Sequence, residues 1–145
     1  KAYNFLEPYD KKYFVAAESL LLANIPLPEY SPIVMPASKA FEGLAKKIVV
    51  GIGLCSHSST DFSMLNDRSN PTRQSVCGKE PHCDTFLLDL NVAVKKYRHF
   101  MMHSDTSNVT KVDTYDEAKE KLEEIYKESK KFFEYFNKSV FNLLV

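Results

Sequence analysis

Between Asp84 and Met102 the residues Phe86, Leu87, Leu90, Ala93, Val94, Tyr97, Met101 and Met102 recur every three or four positions, which places them along one side of an α-helix. Asp84 or Thr85 supplies its N-cap. A helix this long with one apolar side needs partners to cover it, so the rest of the chain must provide them. Three further segments carry the same period. A first helix, capped by Asp10 and running to about Asn24, turns Tyr13, Phe14, Ala17, Leu20 and Leu21 inward, and Asn24-Ile25-Pro26-Leu27-Pro28 stops it. Ser31-Pro32 restarts the chain as cap and first helical residue, and Pro36 then either kinks this second helix or marks its real start. Beyond it Ala37, Ala40, Phe41, Leu44, Ala45, Ile48 and Val49 give the pattern of a buried helix. Thr114-x-x-Glu117 forms a capping box for a long last helix with Ala118, Leu122, Ile125, Tyr126, Phe132, Phe133, Phe136 and Val140 on its inner side. The expected fold is all-α, a single domain over residues 1–145 with about four main helices.

Two stretches break the pattern. Gly51 to Cys83 is rich in Ser, Asn, Asp, Gly and Pro, and reads as a long irregular excursion between the second and third helices. Such loops are usually functional or mobile, and Arg68, Arg73 and Lys79 could reach a substrate or partner from it; a disordered insertion is the alternative. Ser104 to Asp113, polar and β-branched, reads as a loop or short hairpin.

The 19 basic and 19 acidic side chains cancel, so no global field holds nucleic acid and any polyanion must be met by a local patch. Apolar runs are too short for a membrane span and the N-terminus lacks signal-peptide architecture, although the chain starts at Lys1 and reads as a processed fragment or excised domain. A soluble, cytoplasmic protein without membrane contact is expected. The odd count of Cys55, Cys77 and Cys83 argues for free thiols in a reducing compartment. Cys55-x-His57 and Cys77-x4-His82-Cys83 fall short of the paired C-x2-4-C spacing of a structural zinc site. There is no Gly-rich phosphate loop and no internal repeat, and no cofactor is expected.

Residues able to do chemistry crowd into Lys95-Lys96-Tyr97-Arg98-His99-Phe100-Met101-Met102-His103-Ser104-Asp105. Arg98 and His103 join an always-charged guanidinium to an imidazole that exchanges protons near neutral pH, which suits moving a phosphoryl group without a metal. Five positions turn a straight helix through roughly 140°, so the two share a pocket only at a helix end, a kink or a subunit junction. Two other readings stand beside it. Both residues could simply meet the negative end of the helix dipole, or His99 and His103 with Asp105 could ligate a metal. On the second helix Lys39, Glu42 and Lys46 line one side, either as a solvated ion-pair row or as part of a site.

Tyr30-Ser31-Pro32 through Pro36-Ala37-Ser38-Lys39-Ala40-Phe41-Glu42-Gly43-Leu44, then Tyr97 to Asp105, then Asp113 to Ala118, together resemble the HEPN superfamily. The closer similarity is to the HEPN domain of RNase LS-type toxins, the RnlA family of toxin-antitoxin and phage-defence systems. The resemblance implies a helical bundle that dimerises with two Arg-x4-His elements facing across a cleft. It also implies that Glu42 and Lys39 join Arg98 and His103, although Arg is more usual at the position of Lys39. The function expected on this basis is a metal-independent endoribonuclease cutting single-stranded RNA, with Arg98, His103 and Glu42 catalytic and Lys39, His99 and Lys46 binding substrate. An antitoxin protein is then a possible further partner. The alternative is a catalytically inactive HEPN module for dimerisation or nucleotide binding.

Overall fold

The computed structural model describes residues 1–56, 62–102 and 111–138, with the backbone alone at 99–102. Every regular element among them is helical: α1 (Ala2–Phe5), α2 (Pro8–Ala23), α3 (Ser31–Gly51), a 3₁₀ turn (Ser63–Leu65), α4 (Pro71–Cys77), α5 (Cys83–Met102) and α6 (Tyr115–Lys138). The four long helices are the four that the periodicity marks out, and the fold is all-α.

Helix α3 is the hub, packing against α2, α5 and α6. Ile33, Val34, Ala37, Ala40, Phe41, Leu44, Ala45, Ile48 and Val49 are all buried, so little of its circumference is left for polar residues. Its helix runs through Pro36 from Ser31, with Pro32 in the first turn. Proline removes its own N–H from the ladder and crowds the carbonyl four residues back, and burial of Ile33 and Val34 on the preceding turn offsets that cost. The chain ahead of α3 is clasped to the chain ahead of α6. Tyr30 N donates to the Val112 carbonyl at 2.7 Å, and Val112 N donates to Ser31 Oγ at 3.3 Å.

Helix α2 starts earlier than the expected Asp10 cap. Pro8, with its φ preset for a helix, occupies the first turn, Glu7 takes the cap position, and Asp10 lies inside the first turn. Asn24 ends the helix in the left-handed conformation (φ 47°) that asparagine tolerates. Leu20, expected on the inner stripe, is exposed instead, because only the Phe14–Ala17 side of α2 reaches α3 and α6. The last helix opens as expected: Glu117 N donates to Thr114 Oγ1 at 3.2 Å, and Glu117 Oε2 accepts from Thr114 N at 3.1 Å.

The described part of the excursion after α3 is more ordered than its composition suggests. Ile52, Leu54, Phe62 and Leu65 enter the core, and Asn70 caps α4 by accepting from Arg73 N at 3.1 Å. Arg73, read from the sequence as able to reach a substrate or partner, is 1% exposed; it donates to the Leu65 carbonyl at 2.9 Å and to Asp84 Oδ1 at 2.5 Å. Arg68 pairs with the other oxygen of Asp84 at 2.9 Å. Asp84 therefore sits in the first turn of α5 as an anchor for the excursion, not as its cap. The expectation of three free thiols is also corrected, since Cys77 and Cys83 form a disulfide across the α4–α5 junction and Cys55 alone is free. Composition could not reveal this, because a bond between two cysteines depends on α4 folding back. The cysteine argument for a reducing compartment goes with it.

Removing the carboxylate from Asp84 strands a buried guanidinium, whereas removing Arg68 deletes an exposed partner. Asp84→Ala should lower unfolding free energy by roughly 2–3 kcal/mol and Arg68→Ala by less than about 1 kcal/mol, measured by urea denaturation. Equal effects would mean that Arg73 is not held by this pair.

Candidate active site

Arg98 leaves α5 at the side facing α3, and its position is set by the residue before it. Tyr97 is 1% exposed, lies edge-on to Phe41 of α3 (4.8 Å between ring centroids), and donates its hydroxyl to Glu124 of α6 at 3.1 Å. Glu124 also pairs with Lys96, and with Lys121 at 2.9 Å. Partial burial would raise the Glu124 pKa, but the two ammonium groups prevail and hold it down at about 2, so the carboxylate stays charged. Burial, with Glu124 beside it, pushes the Tyr97 hydroxyl well above its ordinary range, so it remains a donor. With residues 96 and 97 bolted to α6, residue 98 emerges about 100° further round the helix.

There Arg98 Nε stands 3.6 Å from Glu42 Oε1, and its guanidinium carbon lies 5.9 Å from the centre of the Phe62 ring. The separation suits an ion pair but exceeds hydrogen-bond length. Among the described residues the buried Nε of Arg98 has no hydrogen-bond partner. A guanidinium held by charge and a cation–π contact, with its Nε unpaired, can still offer its fork to an anion.

The other expected residues divide. Lys39, Glu42 and Lys46 do share a side of α3, but their neighbours differ. Lys39 places its ammonium 5.6 Å over the Tyr13 ring of α2. Lys46 acts electrostatically on Asp10 and on the free Cys55. Only Glu42 meets Arg98 directly. His103 and Asp105 lie outside the described residues, as does the side chain of His99. Among the described residues no group of three His, Cys, Asp or Glu side chains converges as a metal site.

Two neighbours of this strip escaped the sequence reading. Phe62 looked like one of several scattered apolar residues in the excursion. Asp10 looked like a cap, yet its carboxyl lies against Gly43, where an added Cβ would come within 2.2 Å of Oδ1. A glycine inside an otherwise strong helical period is a signal of close approach, and Asp10 is what approaches. Burial, then the negative charge of Glu7, raises the Asp10 pKa to about 6 against the opposing pull of Lys47 and Lys46.

Compared with protein-family models, with curated proteins and with solved structures, the chain has no match. Among the described residues no helix is long and apolar enough to cross a membrane.

The unfolded chain releases the Asp10 proton near 3.8 and the folded chain near 6, so between these values the folded state binds more protons and stability falls as pH rises. Asp10→Asn removes that loss. The stability of the variant relative to the parent should therefore grow by about 1 kcal/mol between pH about 4 and pH about 7, allowing for solvent screening of a half-buried group. Parallel pH–stability curves would show that Asp10 titrates as an ordinary surface carboxylate.

Proposed function

We propose that the chain is a metal-independent endoribonuclease domain of the HEPN type that cuts single-stranded RNA, working as a homodimer. What supports the reading is the pairing of Arg98 with Glu42 at 3.6 Å, between helices remote in sequence, as the resemblance requires. In this reading the RNA 2′-hydroxyl loses its proton and attacks the adjacent phosphorus, and the 5′-oxygen leaves with a proton, giving a 2′,3′-cyclic phosphate and a 5′-hydroxyl. His103 carries the proton transfer, Arg98 neutralises charge on the phosphorane, and Glu42 orients the guanidinium or serves as proton partner. Lys39, Lys46 and His99 hold neighbouring phosphates. An ion pair too long for a hydrogen bond before substrate arrives is compatible with this role, since catalytic contacts often tighten only in the complex.

A neutral chain offers one such guanidinium few cationic neighbours, and pairing two copies doubles them. A toxin or phage-defence role and an antitoxin partner follow from the resemblance alone, and a cytoplasmic setting goes with them.

His103→Ala should reduce RNA cleavage by about 10²- to 10⁴-fold while leaving the melting temperature nearly unchanged, because a helix-end charge contributes only about 0.3–1 kcal/mol. Arg98→Lys should also be severely impaired, since a compact ammonium cannot present a planar fork. His99→Ala should lose much less than His103→Ala, and cleavage should persist in excess chelator. If the parent cleaves but His103→Ala and Arg98→Lys match its rate, the site is misassigned. A parent that sediments as a dimer yet cuts no RNA would favour the inactive module.

A further inference from the structure

A cavity of about 200 Å³ opens between α1, α2 and α6, sharing no residue with the Arg98–Glu42 pair. Its inner wall is apolar: Leu6, Phe14 and Leu44 are buried, and Tyr126 closes one side. The wall formed by α1 is held in place, because Phe5 packs on Phe133 and on Phe136 of α6, each at 5.3 Å between ring centroids. The cavity is thus built by aromatic packing, and its volume exceeds that of the roughly 150 Å³ apolar hole known to admit benzene. It can seat a hydrocarbon group the size of a leucine or phenylalanine side chain.

An apolar hole alone would select only for hydrocarbon, but this one has charges among its lining residues. Glu18 of α2 and Lys130 of α6 both line it and both are exposed, which puts one acid and one base at the open side on two different helices. Lys130 is engaged by Glu134 at 3.9 Å, an exposed pair at the outer limit of contact that an incoming carboxylate can displace. Burial, reinforced by the charge of Glu18, raises the Tyr126 pKa, so its hydroxyl stays protonated. We propose that this cavity binds a free apolar α-amino acid as its zwitterion, with the side chain against Leu6, Phe14 and Leu44, the ammonium toward Glu18 and the carboxylate toward Lys130. An acid and a base among the exposed lining residues complement a ligand that carries both charges beside its apolar part. The inference is independent of the ribonuclease reading.

Leucine and phenylalanine are titrated into the isotope-labelled chain and followed by amide chemical shifts. Two probes lacking one charge run alongside: 4-methylpentanoate, without the ammonium, and 3-methylbutylamine, without the carboxylate. Saturable shifts centred on residues 2–18 and 126–130 are expected for the amino acids at millimolar concentrations. Each single-charge probe on the parent, and leucine on Glu18→Gln or Lys130→Gln, should bind about three- to tenfold more weakly. Both substitutions are at exposed positions, so amide spectra otherwise matching the parent will confirm that the variants are folded. Absence of saturable shifts for either amino acid, or shifts centred elsewhere, overturns the site. Single-charge probes that bind as tightly as leucine overturn the zwitterion.

Discussion

Phe41 of α3 meets Tyr97 of α5 and Phe132 of α6 edge-on, at 4.8 and 5.9 Å between centroids, and this junction joins three of the four long helices. Each ring is 1% exposed, so each contributes on the order of 2–3 kcal/mol by burial, with ring geometry adding to it. Phe86 extends the cluster, packing on Phe132 at 5.7 Å and stacking on Tyr135 at 4.4 Å. The junction matters for the site because Phe41 and Tyr97 immediately precede Glu42 and Arg98. When the two rings lock, the next residue on each helix is turned toward the same exposed strip, and the acid and the guanidinium meet there. The aromatic contact is the cause and the ion pair its consequence.

Around that junction the charged groups fall into two arrangements with opposite energetics. Glu124, reached by Lys96, Lys121 and Tyr97, is a carboxylate that folding favours in its charged form, and its contribution is lost only as pH falls from about 4.5 toward 2. Asp10, pressed on Gly43, is one that folding disfavours in its charged form near neutral pH. The first ties α5 to α6 beneath Arg98. The second sits on the α2 side of the strip that carries Lys39 and Lys46, where a carboxyl able to change charge near pH about 6 alters the local field that any anion would meet.

The excursion between α3 and α5 shows how composition can mislead. Its polar residues and prolines are those of a loop, and the scattered Leu54, Phe62 and Leu65 have no periodicity to reveal a face. Yet these three are buried, Arg73 is buried as well, and the Cys77–Cys83 bond closes the segment onto α5. Its order comes from burial of these apolar residues and from contacts such as Arg73–Asp84 that join separate elements, and such contacts leave no periodic signature in the sequence. Phe62 reaches Arg98 by the same route, so one wall of the candidate site comes from a stretch whose sequence reads as an irregular excursion.

The helices themselves were legible, because amphipathic period, capping boxes and proline punctuation act within a few residues and are written locally: α3 through its near-continuous apolar turns, α6 through Thr114 and Glu117. Local pattern also singled out Arg98, while the site role of Glu42 came from the resemblance. Charge alone makes Glu42 the one possible ion-pair partner for Arg98 in the row Lys39, Glu42 and Lys46, but local pattern could not say that α3 and α5 cross where the two meet, or that Lys39 and Lys46 turn to Tyr13 and Asp10 instead. Nor could it show that Asp10 faces α3 instead of capping α2, or that Cys77 lies beside Cys83. Those outcomes depend on how helices cross and fold back, which is decided when Phe41, Tyr97 and Phe132 pack and the surface left over is fixed around them.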